Sequence, residues 1–279
     1  MQLCMNEVTI LRSGDLLSHI ADCAAHGYSH MEIRKASLLR ALKEGHTLEE
    51  LRRALTEHGI TVPCLNAIES ISFNDRRGTR MLTELAGWLF YCCRSLGCDC
   101  VEVIASFRAP TDDPDEIRRE TVRALQSLSA VAEPFGIRLA LEYMSLPDSS
   151  VKTFRQCLDI VNETGRDNVG ILFDTWHHYA YGSLPEDISL AKGSQIFMVH
   201  ASDCPARAPG QALRPESYLP GDGVVPIADY LRCLKEIGYD GAVSLEAFDP
   251  TVQAMPTGDC LEAAKASTLR VMAEAGVLC

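Results

Sequence analysis

A unit made of one amphipathic segment and one short apolar run recurs along this chain. Each amphipathic segment ends near a glycine, a few polar residues follow, and the apolar run ends in a polar residue. Glycine commonly closes a helix, and short apolar runs between turn residues are typical of buried parallel strands. The predicted helical segments are 16–26, 48–58, 82–96, 117–135, 154–164, 188–192 and 227–237. The predicted strands are 3–6, 31–34, 62–66, 101–104, 139–142, 170–174, 196–200 and 243–246.

Eight strands that alternate with helices predict a parallel sheet with right-handed crossovers. No linker-like stretch separates the units in these 279 residues. A (β/α)8 TIM barrel takes roughly 250 residues. The sequence therefore predicts an α/β protein with one domain, a closed TIM barrel over residues 1–279. A doubly wound sheet is the alternative, but no Gly-x-Gly-x-x-Gly pattern follows the first strand.

Charge and hydropathy narrow the classes of partner. Lys and Arg total 26 and Asp and Glu total 38, which gives a formal net charge of −12. Nucleic-acid binders gather basic residues against phosphates, and the chain has no basic run, so we expect no nucleic-acid partner. No stretch approaches the roughly 20 apolar residues that span a bilayer, so we expect no membrane partner.

The first residues and the cysteines indicate a compartment. Glu7, Arg12 and Asp15 stand where a signal peptide needs an apolar run, so we expect a cytoplasmic protein. The 12 cysteines follow neither the framework of a small secreted domain nor paired zinc-ligand spacings. We therefore expect free thiols that pack as small buried apolar side chains.

Polar residues end four consecutive predicted strands. In a TIM barrel the carboxyl ends of the strands carry the active site. Side chains alternate along a strand, and the larger apolar residues of these strands lie on the face opposite the terminal polar residue. The polar side chains are therefore expected to point into the barrel mouth. These four residues, called the quartet below, are Glu142, Asp174, His200 and Glu246.

The quartet predicts one bound divalent metal ion. Three carboxylates in one mouth would repel one another and raise their own pKa values, and a cation removes that repulsion. A mainly oxygen ligand set with one imidazole favours Mn²⁺, and Mg²⁺, Zn²⁺ and Co²⁺ also suit it. The alternative for any single acid is a helix cap or a solvated charge at the rim, but that reading does not explain four consecutive strands.

On these residues the chain resembles the xylose isomerase-like sugar isomerase/epimerase barrels. The resemblance implies a single divalent metal on the quartet. It also implies that Glu142 and Glu246 are catalytic residues, which flank the substrate and move protons. The resemblance is carried by residues 3–7, 31–34, 65–67, 141–142, 173–177, 199–203, 220–223 and 244–246, with further support from 166–170 and 234–238.

Four further residues are predicted to bind substrate. The resemblance places a substrate-contacting histidine at His177, in the loop after the sixth strand. Trp176 either offers the substrate an apolar ring or packs beneath that loop. Asn66 contacts substrate or belongs to a polar network at the barrel mouth. Arg207 lies near a position where some epimerases carry a substrate-binding arginine, although its spacing from the seventh strand does not match cleanly.

The resemblance implies a small-molecule reaction, the isomerisation of a polyol ketone, with inosose as the leading substrate in inositol catabolism. A proton leaves the carbon beside the carbonyl, and the bound metal stabilises the resulting enediolate. Ketose 3-epimerisation and hydroxypyruvate isomerisation are the alternatives within the family. An abasic-site endonuclease and a non-catalytic metal- or polyol-binding barrel rank below them. The sequence leaves a homo-oligomer open.

One long irregular segment, residues 204–226, follows the seventh strand and is rich in proline and glycine. Long loops at the catalytic end of a barrel commonly serve as lids or interfaces. We expect this loop to border the active site, with a disordered insertion as the alternative.

Overall fold

In the computed structural model, residues 1–12, 14–211, 213 and 216–278 are described. Eight parallel strands close into a barrel, in which each strand pairs with the next along the chain and β8 pairs with β1. This topology confirms the predicted single-domain TIM barrel. The strands are β1 (Gln2–Asn6), β2 (Met31–Arg34), β3 (Leu65–Ile68), β4 (Cys100–Ile104), β5 (Arg138–Glu142), β6 (Val169–Asp174), β7 (Ile196–Ala201) and β8 (Ala242–Leu245).

Helices lie between the strands and surround the barrel. The longest, α4, begins where the Asp75 side chain accepts a hydrogen bond from the Gly78 amide, and it ends at Gly97, whose φ of 82° suits glycine. The α-helices of the described residues are α1 (Leu16–Ala25), α2 (Lys35–Lys43), α3 (Leu48–Glu57), α4 (Arg76–Leu96), α5 (Pro114–Ala132), α6 (Phe154–Thr164), α7 (Thr175–Ala180), α8 (Ile227–Glu236), α9 (Pro250–Gln253) and α10 (Thr257–Glu274).

Several elements differ from the sequence-based prediction. The segment predicted at 188–192 belongs to a 3-10 helix, Pro185–Leu190, because little chain remains between its proline and the next strand. The structure also contains four α-helices that were not predicted, namely α2, α7, α9 and α10; of these, α7 and α9 have 6 and 4 residues and are too short for a clear periodic pattern. The predicted helix 117–135 ends earlier, at Ala132, and continues as a 3-10 turn.

The third strand begins later than predicted. The sequence predicts a strand over 62–66, whereas β3 begins at Leu65. Pro63 explains the shift, because proline has no amide hydrogen for the ladder of a central strand. Asn66 therefore lies within β3, where its Cα is paired with that of Arg34.

Two apolar layers hold the barrel. The larger layer lies between the strands and the helices, and the smaller layer fills the barrel interior. Ala140, Leu172 and Met198 belong to the interior layer, and each lies two residues before a member of the quartet. The predicted alternation of side chains is therefore confirmed for these three strands, and it directs the quartet into the mouth.

Candidate metal centre

The structure brings the four residues of the quartet together at the carboxyl ends of β5 to β8. One ligand atom from each residue lies within 4.8 Å of the others. The four side chains are between 0% and 3% exposed. Four charged or polar side chains buried this closely require a compensating charge or proton.

His200 presents its Nδ1 atom to the three carboxylates. The distances from Nδ1 are 3.4 Å to Glu246 Oε2, 3.6 Å to Glu142 Oε1 and 3.9 Å to Asp174 Oδ2. The other ring nitrogen, Nε2, lies 2.9 Å from Glu32 Oε2. An ionised carboxylate only accepts hydrogen bonds, so Nε2 carries a hydrogen, and in the neutral ring the Nδ1 lone pair faces the quartet.

Two atoms of this cluster are buried without a hydrogen-bond partner. They are His200 Nδ1 and Glu142 Oε1, which are 3.6 Å apart. A buried polar atom without a partner is costly, and a divalent cation would satisfy both atoms at once. Three carboxylates and one imidazole also form a ligand set that suits Mn²⁺ or Zn²⁺. The residues present therefore fit a divalent metal ion.

Burial and mutual repulsion make the cluster hold protons. Burial, together with the charges of Glu142 and Glu246, raises the pKa of Asp174 to about 8. Burial alone would lower the pKa of His200, but the carboxylates of Glu32 and Glu246 outweigh it and raise that pKa well above its usual value. Both groups would lose their protons to solvent when a cation binds.

A second group of potential ligands shares His200. Atoms of Glu32, Glu102 and His200 lie within 4.8 Å of one another inside the barrel. The nitrogen of this group is Nε2, which already donates to Glu32. Only a deprotonated nitrogen binds a metal, so this second group is a poor metal site.

Glu102 is a buried acid that the sequence analysis did not select. It lies in β4 between two valines and is 1% exposed, and its Oε2 atom has no hydrogen-bond partner. Burial, followed by the nearby charge of Glu142, raises its pKa well above the usual value. The available signal was an acid at an inward-facing position of an apolar strand.

His177 and Trp176 lie in α7, the helix that directly follows Asp174, and both are buried. The His177 amide donates to Asp174 Oδ1 at 2.7 Å, so Asp174 also caps this helix. His177 Nδ1 accepts from the Ser145 amide at 2.9 Å, so in the neutral ring the hydrogen is on Nε2. The indole Nε1 of Trp176 is buried without a hydrogen-bond partner.

Asn66 and Arg207 have different surroundings. Asn66 is 4% exposed and lies in β3. Arg207 lies in the loop after β7, where its side chain forms a two-pronged ion pair with Glu216, one contact being Nε to Oε2 at 3.1 Å. The partly buried guanidinium of Arg34 lies next to the quartet, with its Nη1 atom 3.9 Å from Glu246 Oε1.

The loop after β7 is folded around Asp203. The Asp203 carboxylate accepts from the amides of Cys204 and Val225 through Oδ1 and from that of Gly221 through Oδ2. Asp203 also forms an isolated antiparallel bridge with Tyr218. Residues 212, 214 and 215 of the predicted loop 204–226 lie outside the described part of the chain.

Comparison with known proteins gives the class to which this barrel belongs. Residues 20–270 match the xylose isomerase-like TIM barrel family, and the chain belongs to that family. It is 33% identical to the inosose isomerase of Bacillus velezensis, over 98% of both chains. It is also 33% identical to the inosose isomerase of Bacillus subtilis, over 98% of this chain and 99% of that one.

One solved structure that is similar to this chain contains a bound metal atom. The IolI protein with a bound zinc atom superposes with a TM-score of 0.94 at 32% identity, covering 98% of this chain and 99% of that one. Over the part of the chain that the structure describes, no helix is both long and apolar enough to cross a bilayer.

Proposed function

We propose that this protein is a metal-dependent isomerase that interconverts polyol ketones, with inosose as the leading substrate. The observation that carries the proposal is the convergence of the quartet, with His200 Nδ1 directed at three carboxylates from three other strands. The two inosose isomerases, which match nearly the full chain, support the reaction and the substrate class.

The quartet would hold the divalent cation. A bound cation would supply Lewis-acid chemistry, which stabilises negative charge that develops on substrate oxygen. The oxygen-rich ligand set favours Mn²⁺. The zinc atom of the related structure supports Zn²⁺ as the alternative.

Glu142 and Glu246 would act as the acid–base pair. They come from β5 and from the residue after β8, which are separated by two strands of the barrel, so their carboxylates approach a substrate from different directions. One glutamate takes the proton from the hydroxyl-bearing carbon beside the carbonyl, which leaves an enediolate, and a proton is returned to the former carbonyl carbon. The hydroxyl proton of the first carbon passes to the former carbonyl oxygen, so that the carbonyl and the hydroxyl group exchange places. Asp174 and His200 would hold the cation without moving protons.

The remaining predicted residues would bind and orient the substrate. His177, whose neutral ring carries its hydrogen on Nε2, would donate to the carbonyl oxygen. Trp176 would present its ring to the apolar face of a cyclic polyol, and Asn66 would contact hydroxyl groups of the substrate. Arg207 would have to leave Glu216 before it could contact substrate, so its role requires movement of the loop.

The other expectations belong to the same proposal. We propose a cytoplasmic enzyme with a small-molecule partner, and the free, mostly buried thiols of the described cysteines suit a reducing compartment. The loop 204–226 would border the active site; the hydrogen bonds of its Gly221 and Val225 amides to Asp203, two residues after β7, support this proposal.

A substrate panel tests the proposed reaction. Purified protein is stripped of metal, reloaded with Mn²⁺ or Zn²⁺, and assayed by NMR against inosose, free ketoses and hydroxypyruvate. We expect metal-dependent conversion of inosose at the highest kcat/KM of the panel. If only a ketose or only hydroxypyruvate is converted, that compound and not inosose is the substrate. If none of the three is converted, the proposed function is wrong.

A further inference from the structure

Glu32 lies inside the barrel and joins side chains from three other strands. Its Oε2 atom accepts hydrogen bonds from Ser244 Oγ at 2.8 Å, from His200 Nε2 at 2.9 Å and from Asn6 Nδ2 at 3.2 Å. All four residues are buried. Three donors on one oxygen hold the carboxylate in a single orientation.

The same network reaches a second member of the quartet through Asn6. Its Nδ2 donates to Glu246 Oε1 at 3.2 Å as well as to Glu32. Its Oδ1 accepts from the Val8 amide at 3.1 Å. That backbone contact distinguishes the oxygen of the amide from its nitrogen, so the nitrogen is the atom that faces both carboxylates.

The contact between Glu32 and His200 decides which nitrogen can bind a metal. Glu32 occupies Nε2 as an acceptor, so Nε2 keeps its hydrogen and the metal-binding lone pair belongs to Nδ1. Nδ1 is also the nitrogen that lies within 3.9 Å of the three carboxylates. A carboxylate on the far nitrogen of a metal-binding imidazole fixes its orientation and raises its basicity.

We infer that Glu32 is a positioning residue, which fixes the tautomer and ring orientation of His200 for metal binding, and that Ser244 and Asn6 hold Glu32 for this task. The inference rests on the proposed function only in taking the quartet as the metal site. Glu32 itself is not a member of the quartet.

Glu102 provides a matched control. Like Glu32, it is a fully buried glutamate inside the barrel, with an oxygen atom within 4.8 Å of a His200 nitrogen. Among the described residues it makes no hydrogen bond with His200, whose Nε2 is bonded to Glu32. Glu32→Gln and Glu102→Gln are the same substitution at two buried positions inside the barrel, and only the first removes the hydrogen-bond acceptor of His200 Nε2.

The experiment measures Zn²⁺ and Mn²⁺ affinity of the folded proteins by competition with a chromophoric chelator. We expect Glu32→Gln to weaken binding by about 10–100-fold, the usual effect of losing such a partner, and Glu102→Gln to stay near wild type. In zinc-loaded protein labelled with ¹⁵N-histidine, the Nε2 proton of His200 should resonate far downfield in wild type and Glu102→Gln, and move upfield in Glu32→Gln.

Two results of the affinity measurement would overturn the inference. Equal weakening in both variants would mean that the hydrogen bond between Glu32 and His200 has no particular effect on metal binding. Unchanged affinity in Glu32→Gln would mean that Glu32 does not act on the metal site. If Glu32→Gln does not fold, Ser244→Ala replaces it, with a smaller but measurable loss expected, and no loss counts against the inference. A wild-type protein that binds neither metal would instead overturn the proposed function.

Discussion

His200 is the residue on which the chemistry of the centre depends. One of its nitrogens is bonded to Glu32, and the other lies among the three carboxylates of the quartet. Neither nitrogen is near solvent, because the side chain is fully buried. The ring therefore links the interior of the barrel to the mouth, and a change on either side should alter metal binding.

Without metal, the stability of the protein should fall as the pH rises above neutral. The folded-state pKa of Asp174 is about 8, above its usual value of 3.8, so the folded protein holds a proton that the unfolded chain releases. The pKa of His200 is raised as well. A raised pKa stabilises the folded state at low pH, and that stability is lost as the pH rises through the folded value.

Thermal unfolding in a chelator checks this prediction. Between pH 6 and pH 9 we expect the free energy of unfolding to fall by up to about 1.4 kcal/mol per pH unit for each such proton. Asp174→Asn should flatten part of this dependence, and added metal should remove it, since the cation replaces the protons. A metal-free protein that becomes more stable over this range would contradict the electrostatic account.

Residue patterns predicted the quartet but not its supporting contacts. The four residues end consecutive strands, so strand alternation was enough to direct them to one place. The hydrogen bonds of Glu32 depend on how strands far apart in sequence meet inside the barrel, and one sequence does not contain that register. The ion pair of Arg207 with Glu216 depends instead on the shape of one irregular loop, which has no periodic pattern in the sequence.

The loop after β7 depends on one side chain for its shape. Asp203 is 1% exposed and accepts three backbone amides from the loop. Asp203→Ala would leave these donors without a charged acceptor, so we expect a loss of about 2–4 kcal/mol in the free energy of unfolding. Chemical denaturation measures the loss, with the exposed Asp112→Ala as control. A change no larger than that of the control would show that the loop holds its shape without Asp203.

The boundaries of the elements show where periodicity is informative. The pattern of α4 begins at Leu82, whereas the helix begins six residues earlier at Arg76, because its first turns carry polar, solvent-facing residues with no apolar repeat. In β3 the proline moves the strand by three residues. Helix ends marked by glycine were predicted well, since the left-handed conformation at Gly97 is a local requirement.

The barrel as a complete structure was predictable because eight similar units leave few alternatives. The order of strands and the closure between β8 and β1 follow from alternation and right-handed crossovers. The substrate was not predictable in the same way, because one fold supports many reactions and the loops at the mouth decide among them.

The thiols give a test of the compartment. All described cysteines are free, and ten of them are buried, with Cys233 the partly exposed one. Titration of the denatured protein, purified without exposure to air, should find all 12 thiols. In the native protein most of them should react slowly, because burial raises the pKa of thiols such as Cys92, to about 11. A reproducibly missing pair would indicate a disulfide.

The most direct test of the proposed isomerase is deuterium incorporation into inosose in D₂O. Metal-loaded wild-type protein should place deuterium at the carbon beside the carbonyl while it forms the isomer. Glu142→Gln and Glu246→Gln, checked for fold and metal content, should each slow turnover by at least the 10²–10⁴-fold typical of a lost acid or base. If both variants keep metal and near-normal turnover, or if metal-loaded wild type exchanges no deuterium, the two-glutamate isomerase mechanism is wrong.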